Sequence, residues 1–116
     1  GLKTILTAIE YIRSGISICI FPEGTRNTGE ELSMLPFKDG ALKIAEKTGC
    51  PIIPMSMNNT QAIFEKHLPF VRKAHVVLEY GTPIYPDKLD KETKRHLGAY
   101  CQNIIQETII KNQSLV

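Results

Sequence analysis

The residues best suited to chemistry lie in one short stretch, where Glu23, Gly24, Thr25 and Arg26 follow an apolar run directly. The Arg26 guanidinium is planar and always charged, so it can hold a phosphate through two parallel hydrogen bonds. Gly24 lets backbone approach a ligand closely, and Thr25 adds a hydroxyl donor. Glu23 could orient Arg26 or contact a hydroxyl. The sequence therefore predicts an anion-binding loop; the alternative is an ordinary turn with a Glu23–Arg26 surface pair.

An apolar segment over residues 16–21 is expected to carry this loop. The segment is short and largely β-branched, and Gly15 and Pro22 bound it, which predicts a strand buried on both faces. The loop would then follow the carboxyl end of a strand, where open α/β sheets bind ligands. Lys38, at the start of the next predicted helix, is a natural second cation because helix N-termini attract anions. A lysine at such a position is otherwise simply solvated.

The remaining patterns alternate between helix and strand. They predict helices over residues 2–14 and 37–47 and from residue 90 onward, and strands over residues 16–21, 52–57 and 74–80. Strand, helix and strand in the first half predict a parallel βαβ unit with a right-handed crossover. Residues 58–73 fit no pattern. We expect one α/β domain over residues 1–116, with a parallel or mixed sheet and flanking helices.

Composition excludes several classes of function. The chain has 116 residues and a net charge of +2, and its basic residues are spread along the sequence, so nucleic acid is not an expected partner. No run of about 20 apolar residues and no signal-peptide pattern is present. Three cysteines without C-x-x-C spacing and three scattered histidines predict neither a disulfide framework nor a metal site, and no cofactor is implied. A reducing cytoplasm fits this cysteine usage.

A nucleotide-binding P-loop is also excluded. Gly24 and Gly29 have the glycine spacing of that motif. The motif continues with Lys and then Ser or Thr, which bind phosphate and magnesium, whereas this chain has Glu30 and Glu31 there. Two carboxylates would repel the phosphates. No Gly-x-Ser-x-Gly elbow of a serine hydrolase occurs either.

Three blocks resemble signature blocks of the glycerolipid acyltransferases related to 1-acylglycerol-3-phosphate acyltransferase. FPEGTR at residues 21–26 looks like the third block of that family. FKDGA at residues 37–41 is similar to the family's Phe-Lys-x-Gly-Ala helix start, and PIIP at residues 51–54 is similar to its fourth block. Order and spacing agree as well, so the resemblance covers residues 15–59 strongly and the remainder only in general pattern.

The resemblance implies acyl transfer from acyl-CoA or acyl carrier protein to a lysophospholipid such as 1-acylglycerol 3-phosphate. It implies binding of the acceptor's glycerol phosphate by the third block, which here is Glu23, Gly24, Thr25 and Arg26. The fourth block is linked to the acyl chain or acyl donor, so the implied wall consists of Pro51, Ile52, Ile53 and Pro54. Two adjacent isoleucines are equally expected in any core strand.

The sequence departs from the family at the catalytic base. The family carries an upstream His-x-x-x-x-Asp block, in which His is the general base and Asp orients it. Here the positions five residues beyond His67, His75 and His96 hold Arg, Tyr and Cys. The family's second block is missing too, and the chain starts with Gly1 in a helical pattern.

We therefore expect a C-terminal part of a longer enzyme, inactive alone. The parent would work at the cytoplasmic face of a membrane, as the family does. Sheet edge and apolar surface left uncovered would favour self-association of the isolated part. The alternative is a non-catalytic phosphate- or lipid-binding module that has lost the base.

Overall fold

The computed structural model describes residues 1–24, 27 and 29–116, with Glu65 described by its backbone alone. The helices and strands formed there are α1 (Leu2–Arg13), α2 (Asp39–Thr48), β1 (Met55–Asn58), β2 (Val77–Tyr80), α3 (Lys91–Arg95) and α4 (Leu97–Asn112). Short 3-10 turns lie at Thr60–Ala62, Glu65–His67, Pro86–Lys88 and Gln113–Leu115. Among these described residues, no helix combines the length and the apolar character needed to cross a membrane.

The first two helices end where the sequence predicts. The chain leaves α1 through Gly15, which has a φ of 96°, and α2 ends at Gly49 with a φ of 74°. Both values lie in the left-handed region that glycine adopts without strain. The Gly49 amide donates to the Ala45 carbonyl at 2.9 Å, and Ile9 on the apolar stripe of α1 is buried. Predictions from local periodicity are confirmed for both helices.

The sheet is a two-stranded antiparallel pair covered by α4. Its register pairs Met55 with Tyr80, Ser56 with Glu79, Met57 with Leu78 and Asn58 with Val77. Ahead of β1, Ile52 and Ile84 exchange two backbone hydrogen bonds of 2.8 Å. Ser56 and Asn58 alternate inward and are buried, and Asn58 Nδ2 donates to the Ile109 carbonyl of α4 at 2.8 Å. The α/β class with flanking helices is confirmed.

The parallel βαβ unit is not formed in the described part of the chain. Residues 16–21 belong to no strand, and Ile16 and Phe21 are 51% and 72% exposed. The backbone bonds described for this segment are local, from the Ile16 amide to Tyr11 and from Gly24 to the Phe21 carbonyl. An apolar, β-branched run has strand propensity, but a strand also needs a partner for its backbone groups. No described strand lies beside residues 16–21 to provide that partner.

The last helix is divided, whereas the sequence predicts one helix from Asp90. Asp90 occupies the N-cap position of α3, and His96, with φ −115° and ψ 42°, separates α3 from α4. The break lets the Gly98 amide donate to Asp39 Oδ1 at 3.3 Å, which joins the starts of α4 and α2. The buried cluster beneath consists of Leu42, Ile84, Leu97 and Cys101, with Phe37, Ile52, Leu89 and Ile104 packed against it.

Candidate active site

The loop that carries the candidate site begins with a tight turn at Gly24. The Gly24 amide donates to the Phe21 carbonyl at 3.0 Å, and its φ is 75°. The Lys38 amide donates to the Pro22 carbonyl at 2.8 Å, so the start of α2 lies beside the turn. A Cβ added to Gly24 would lie 2.8 Å from Lys38 Cε and 3.0 Å from its Nζ. Two residues predicted to bind the acceptor, Gly24 and Lys38, are therefore in contact.

The contact lies at the start of α2, where charges of both signs meet. Lys38 is exposed and occupies the N-cap of α2, where no side chain caps the helix amides. Unbonded amides and the helix dipole make such an end partly positive. Asp39 in the first turn is negative, and its Oδ1 accepts from Gly98. Thr25 and Arg26, the other predicted acceptor residues, lie outside the described residues.

Glu23 closes the loop that follows the turn. Its Oε2 accepts from the Leu35 amide at 2.8 Å and from Asn27 Nδ2 at 3.2 Å. Asn27 also donates to the Ser33 carbonyl at 2.6 Å and accepts from the Gly29 amide at 2.8 Å. Glu23 thus anchors Asn27 and Leu35, a role that sequence reasoning missed. The Asn27–Gly29 bond has a sequence signal, because Asn commonly bonds the backbone two residues on.

The same loop is tied to the chain just beyond β1. The Glu31 carboxylate accepts from the Asn59 amide, and Gln61 Nε2 donates to the Gly29 carbonyl at 2.9 Å. Asn59 has a φ of 67°, a left-handed conformation that Asn tolerates better than most residues. These contacts form a continuous polar rim from Glu23 to Gln61.

A cleft of about 1470 Å³ lies next to this rim. Its walls are mostly apolar and come from residues 16–21, from α2 and from α4. The rim residues that line it are Glu23, Gly24, Asn27, Gly29, Glu30, Glu31 and Gln61. The four residues of the predicted acyl wall, Pro51, Ile52, Ile53 and Pro54, all line the cleft. The structure thus brings Glu23, Gly24 and residues 51–54 to one cavity, with Lys38 touching Gly24. Their roles in binding stay predictions.

Residues 51–54 are not equivalent within the wall. Ile52 is half-buried, bridges to Ile84 and packs against the buried cluster. Ile53 is 45% exposed, while Pro54 is buried. Ile53 and Pro51, which is also exposed, are therefore the members with free apolar surface for a ligand. Sequence reasoning could not separate the two isoleucines because that distinction depends on where the segment pairs.

The cleft lacks a histidine. His67, His75 and His96 all lie away from its lining, and His96 Nε2 is 3.5 Å from Glu92 Oε1 on α3. The Cys101 thiol does line the cleft, but burial raises its pKa to about 11, so it keeps its proton at neutral pH. Within the described residues, no group of three or more His, Cys, Asp or Glu side chains is placed to hold a metal ion.

Comparison with known proteins gives a consistent result. Residues 2–58 match the family model described as Acyltransferase. The chain is 38% identical over 104 residues to the 1-acyl-sn-glycerol-3-phosphate acyltransferase of Borreliella burgdorferi, covering 90% of this chain and 39% of the relative. It is 38% identical over 107 residues to that of Escherichia coli, covering 91% of this chain and 42% of the relative.

A solved structure is similar to nearly the whole chain. The crystal structure of the 1-acyl-sn-glycerophosphate (LPA) acyltransferase PlsC from Thermotoga maritima matches with a TM-score of 0.80 and 28% identity. The match covers 94% of this chain and 44% of that protein. The chain spans about two fifths of the length of these three relatives.

Proposed function

Since the chain belongs to the family of glycerolipid acyltransferases related to 1-acylglycerol-3-phosphate acyltransferase, we propose that it binds the acceptor of an acyl transfer in phospholipid synthesis. The acceptor is a lysophospholipid such as 1-acylglycerol 3-phosphate, and the donor is acyl-CoA or acyl carrier protein. The observation that carries the proposal is the contact between Lys38 and Gly24 beside a mostly apolar cleft. A cation next to apolar walls suits an amphiphile with one phosphate and one acyl chain.

The phosphate end of the acceptor is assigned to the loop. Lys38 supplies a point charge at the start of α2, and the turn at Gly24 lets backbone approach the phosphate closely. Arg26 and Thr25, directly after Gly24 in sequence, supply the bidentate fork and a hydroxyl. Glu23 holds the loop in place through Leu35 and Asn27, which limits the freedom that binding must remove.

The acyl end is assigned to the apolar walls. Ile53 presents apolar surface to the cleft, and residues 16–21 line it with exposed side chains such as Ile20 and Phe21. Burying an acyl chain there would release about 0.8 kcal/mol for each methylene removed from water. Either the acyl chain of the acceptor or that of the donor would fit this chemistry.

The reaction needs a general base, and no histidine lines the cleft to serve as one. The acceptor hydroxyl attacks the thioester carbonyl, the new C–O bond forms and the C–S bond breaks. The hydroxyl proton passes to the base and then to the departing thiolate. Because none of the three histidines lines the cleft, we assign the base to a His-x-x-x-x-Asp block elsewhere in a longer polypeptide. Residues 1–116 alone should then bind without turnover.

The direct test assays the complete reading frame that contains residues 1–116. Acyl transfer to lysophosphatidic acid is compared with transfer to monoacylglycerol, a matched acceptor that lacks only the phosphate. We expect transfer to the first and little to the second. Arg26→Ala should reduce kcat/KM for lysophosphatidic acid by the loss of a charge-assisted fork, about 1.5–3 kcal/mol.

Three results would oppose this proposal. A folded complete protein without transfer would contradict it, and binding of lysophosphatidic acid without turnover in that protein would favour the non-catalytic lipid-binding module. An unchanged acceptor KM and kcat in Arg26→Ala would remove Arg26 from the site.

A further inference from the structure

The connection between β1 and β2 contains a closed loop over residues 63–72. Its base is fixed by the Arg72 amide, which donates to the Ile63 carbonyl at 2.7 Å. Within it, the His67 amide donates to Phe64 at 2.9 Å, and the Phe70 amide donates to His67 at 2.8 Å. The 63–72 loop is therefore held by its own backbone bonds. It lies outside the cleft assigned to the acceptor.

The tip of the 63–72 loop is apolar and exposed. Leu68, Phe70 and Val71 are 62%, 68% and 73% exposed, and none of them lines the cleft. Scattered apolar residues are normal on a protein surface, but three within four positions form a patch that usually marks an interaction site. Neither the buried cluster nor the proposed acceptor site gives a reason for this patch.

Basic residues flank that tip in the sequence. Lys66, Arg72 and Lys73 are exposed, and within residues 63–73 the sequence has one carboxylate, at Glu65. Lysine is depleted where two proteins bind each other, whereas apolar side chains ringed by Lys and Arg are typical of segments that lie on anionic lipid. Charge complementarity therefore selects a lipid surface as the occupant.

We propose that the 63–72 loop docks on an anionic phospholipid surface. Leu68, Phe70 and Val71 enter the boundary between headgroups and acyl chains, while Lys66, Arg72 and Lys73 contact the phosphates. The inference extends the proposed function, since a lipid acceptor must reach the cleft from such a surface. Its own basis is the exposed tip and its charges, so it can be tested without any acyl transfer.

Tryptophan fluorescence reads the position of the loop directly, because the chain contains no tryptophan. Phe70→Trp is mixed with phosphatidylglycerol vesicles whose acyl chains carry bromine, which quenches indole on contact. We expect blue-shifted, quenched emission. Tyr85→Trp is the matched control, since Tyr85 is 42% exposed and follows Ile84 at the opposite end of the β1–β2 pair from the 63–72 loop, so it should stay unquenched. Emission of Phe70→Trp that does not change with vesicles would overturn the proposal.

Measuring how variants partition onto vesicles separates the apolar and electrostatic contributions to membrane binding. Replacing Arg72 and Lys73 by Gln should weaken binding to phosphatidylglycerol vesicles about 30-fold, because each cation contributes about 1 kcal/mol near an anionic surface. Binding to phosphatidylcholine vesicles should change little. Phe70→Ser should weaken binding to both vesicle types about 10-fold through lost apolar burial, whereas Tyr85→Ser should not. Equal binding by all these variants would contradict the assignment.

Further outcomes distinguish lipid docking from self-association and from the proposed acyl transfer. If Phe70→Ser abolishes self-association in sedimentation equilibrium and leaves vesicle binding intact, the tip contacts a second copy and the lipid proposal is wrong. Quenching of Phe70→Trp together with an absence of acyl transfer by the complete protein would support the docking loop and oppose the proposed function. Transfer without quenching would oppose only the docking loop.

Discussion

Residues 16–21 and residues 74–80 are both predicted strands, but their surroundings differ. Both segments are short, apolar and rich in β-branched residues, which favours a strand. The second contains β2, which pairs with β1 through four residue pairs. The first forms no ladder with any described strand and leaves Phe21 72% exposed. Composition therefore gives a segment the capacity to form a strand, and a partner for its backbone decides the outcome.

Of the two segments, residues 16–21 contribute more to the candidate site, because all six line the cleft, whereas residues 74–80 contribute Tyr80. Residues 16–21 line the cleft with exposed apolar side chains, while β1 turns Ser56 and Asn58 into the packed region under α4. Packed surface has no room for a ligand, whereas the exposed segment offers apolar area that an acyl chain can cover. The contrast thus sets an exposed segment that is proposed to bind against a packed segment that is held under α4.

Truncating one buried side chain at the start of α4 and one exposed side chain of residues 16–21 should give the largest difference. Leu97 is 2% exposed and packs with Leu42 and Cys101, so Leu97→Ala should lower the free energy of unfolding by about 2–5 kcal/mol. Ile16 is 51% exposed, so Ile16→Ala should cost less than about 1 kcal/mol. Urea unfolding followed by circular dichroism measures both. Equal losses would mean that residues 16–21 are packed as tightly as the core.

Thiol labelling compares the same regions without changing a side chain. Cys19 is exposed, whereas Cys101 is buried and its pKa is raised to about 11 by that burial. Because the thiolate is the reactive form, Ellman's reagent should react with Cys101 at least about a hundredfold more slowly than with Cys19 at neutral pH. The two rates should converge in urea. Protection of Cys19 in the folded chain would contradict the open state of residues 16–21.

The smallest expected change in stability comes from removing the side-chain hydrogen bonds between β2 and α4. The Glu79 carboxylate accepts hydrogen bonds from Asn112 Nδ2 at 3.0 Å and from Lys111 Nζ at 2.9 Å. Both bonds lower the pKa of Glu79, and the bond from Asn112 has the larger effect. The folded state favours the charged carboxylate, so the stabilisation is present above the ordinary Glu pKa and is lost as pH falls through the lowered value.

Glu79→Gln tests this pH dependence. The variant should unfold at a lower urea concentration than the wild type at neutral pH, and the two midpoints should converge in acid. Glu107→Gln, on the exposed side of α4, is the matched control and should change neither midpoint. If the difference in urea midpoint between Glu79→Gln and the wild type stays the same in acid, the carboxylate charge is not the source of that difference.

Much of the helical structure could be predicted because its signals are local. Apolar residues three and four apart and a glycine at the end specify α1 and α2, including the left-handed Gly15 and Gly49. The pairing of residues 16–21 could not be predicted, since it depends on a distant partner. The break at His96 arises in the same way, because it serves the contact between Gly98 and Asp39.

The candidate site shows the same division. The sequence predicts Gly24 and Lys38 as an anion-binding pair, and the structure places them in contact. It does not predict the anchors of the loop, since Glu23 bonds Leu35 and Glu31 bonds Asn59 across 12 and 28 positions. Such bonds depend on the completed fold, whereas the chemistry of a single side chain can be read directly from its type.

The central claim is that Lys38 beside Gly24 binds the acceptor phosphate, and the most direct measurement compares Lys38→Met with Lys43→Met in the complete protein. Lys43 is exposed on the same helix, away from the turn, and serves as the matched control. Lys38→Met should lower kcat/KM for lysophosphatidic acid about 10- to 100-fold, through loss of a charge-assisted contact. Lys43→Met should leave it unchanged. Equal kcat/KM values for both variants and the wild type would contradict the account.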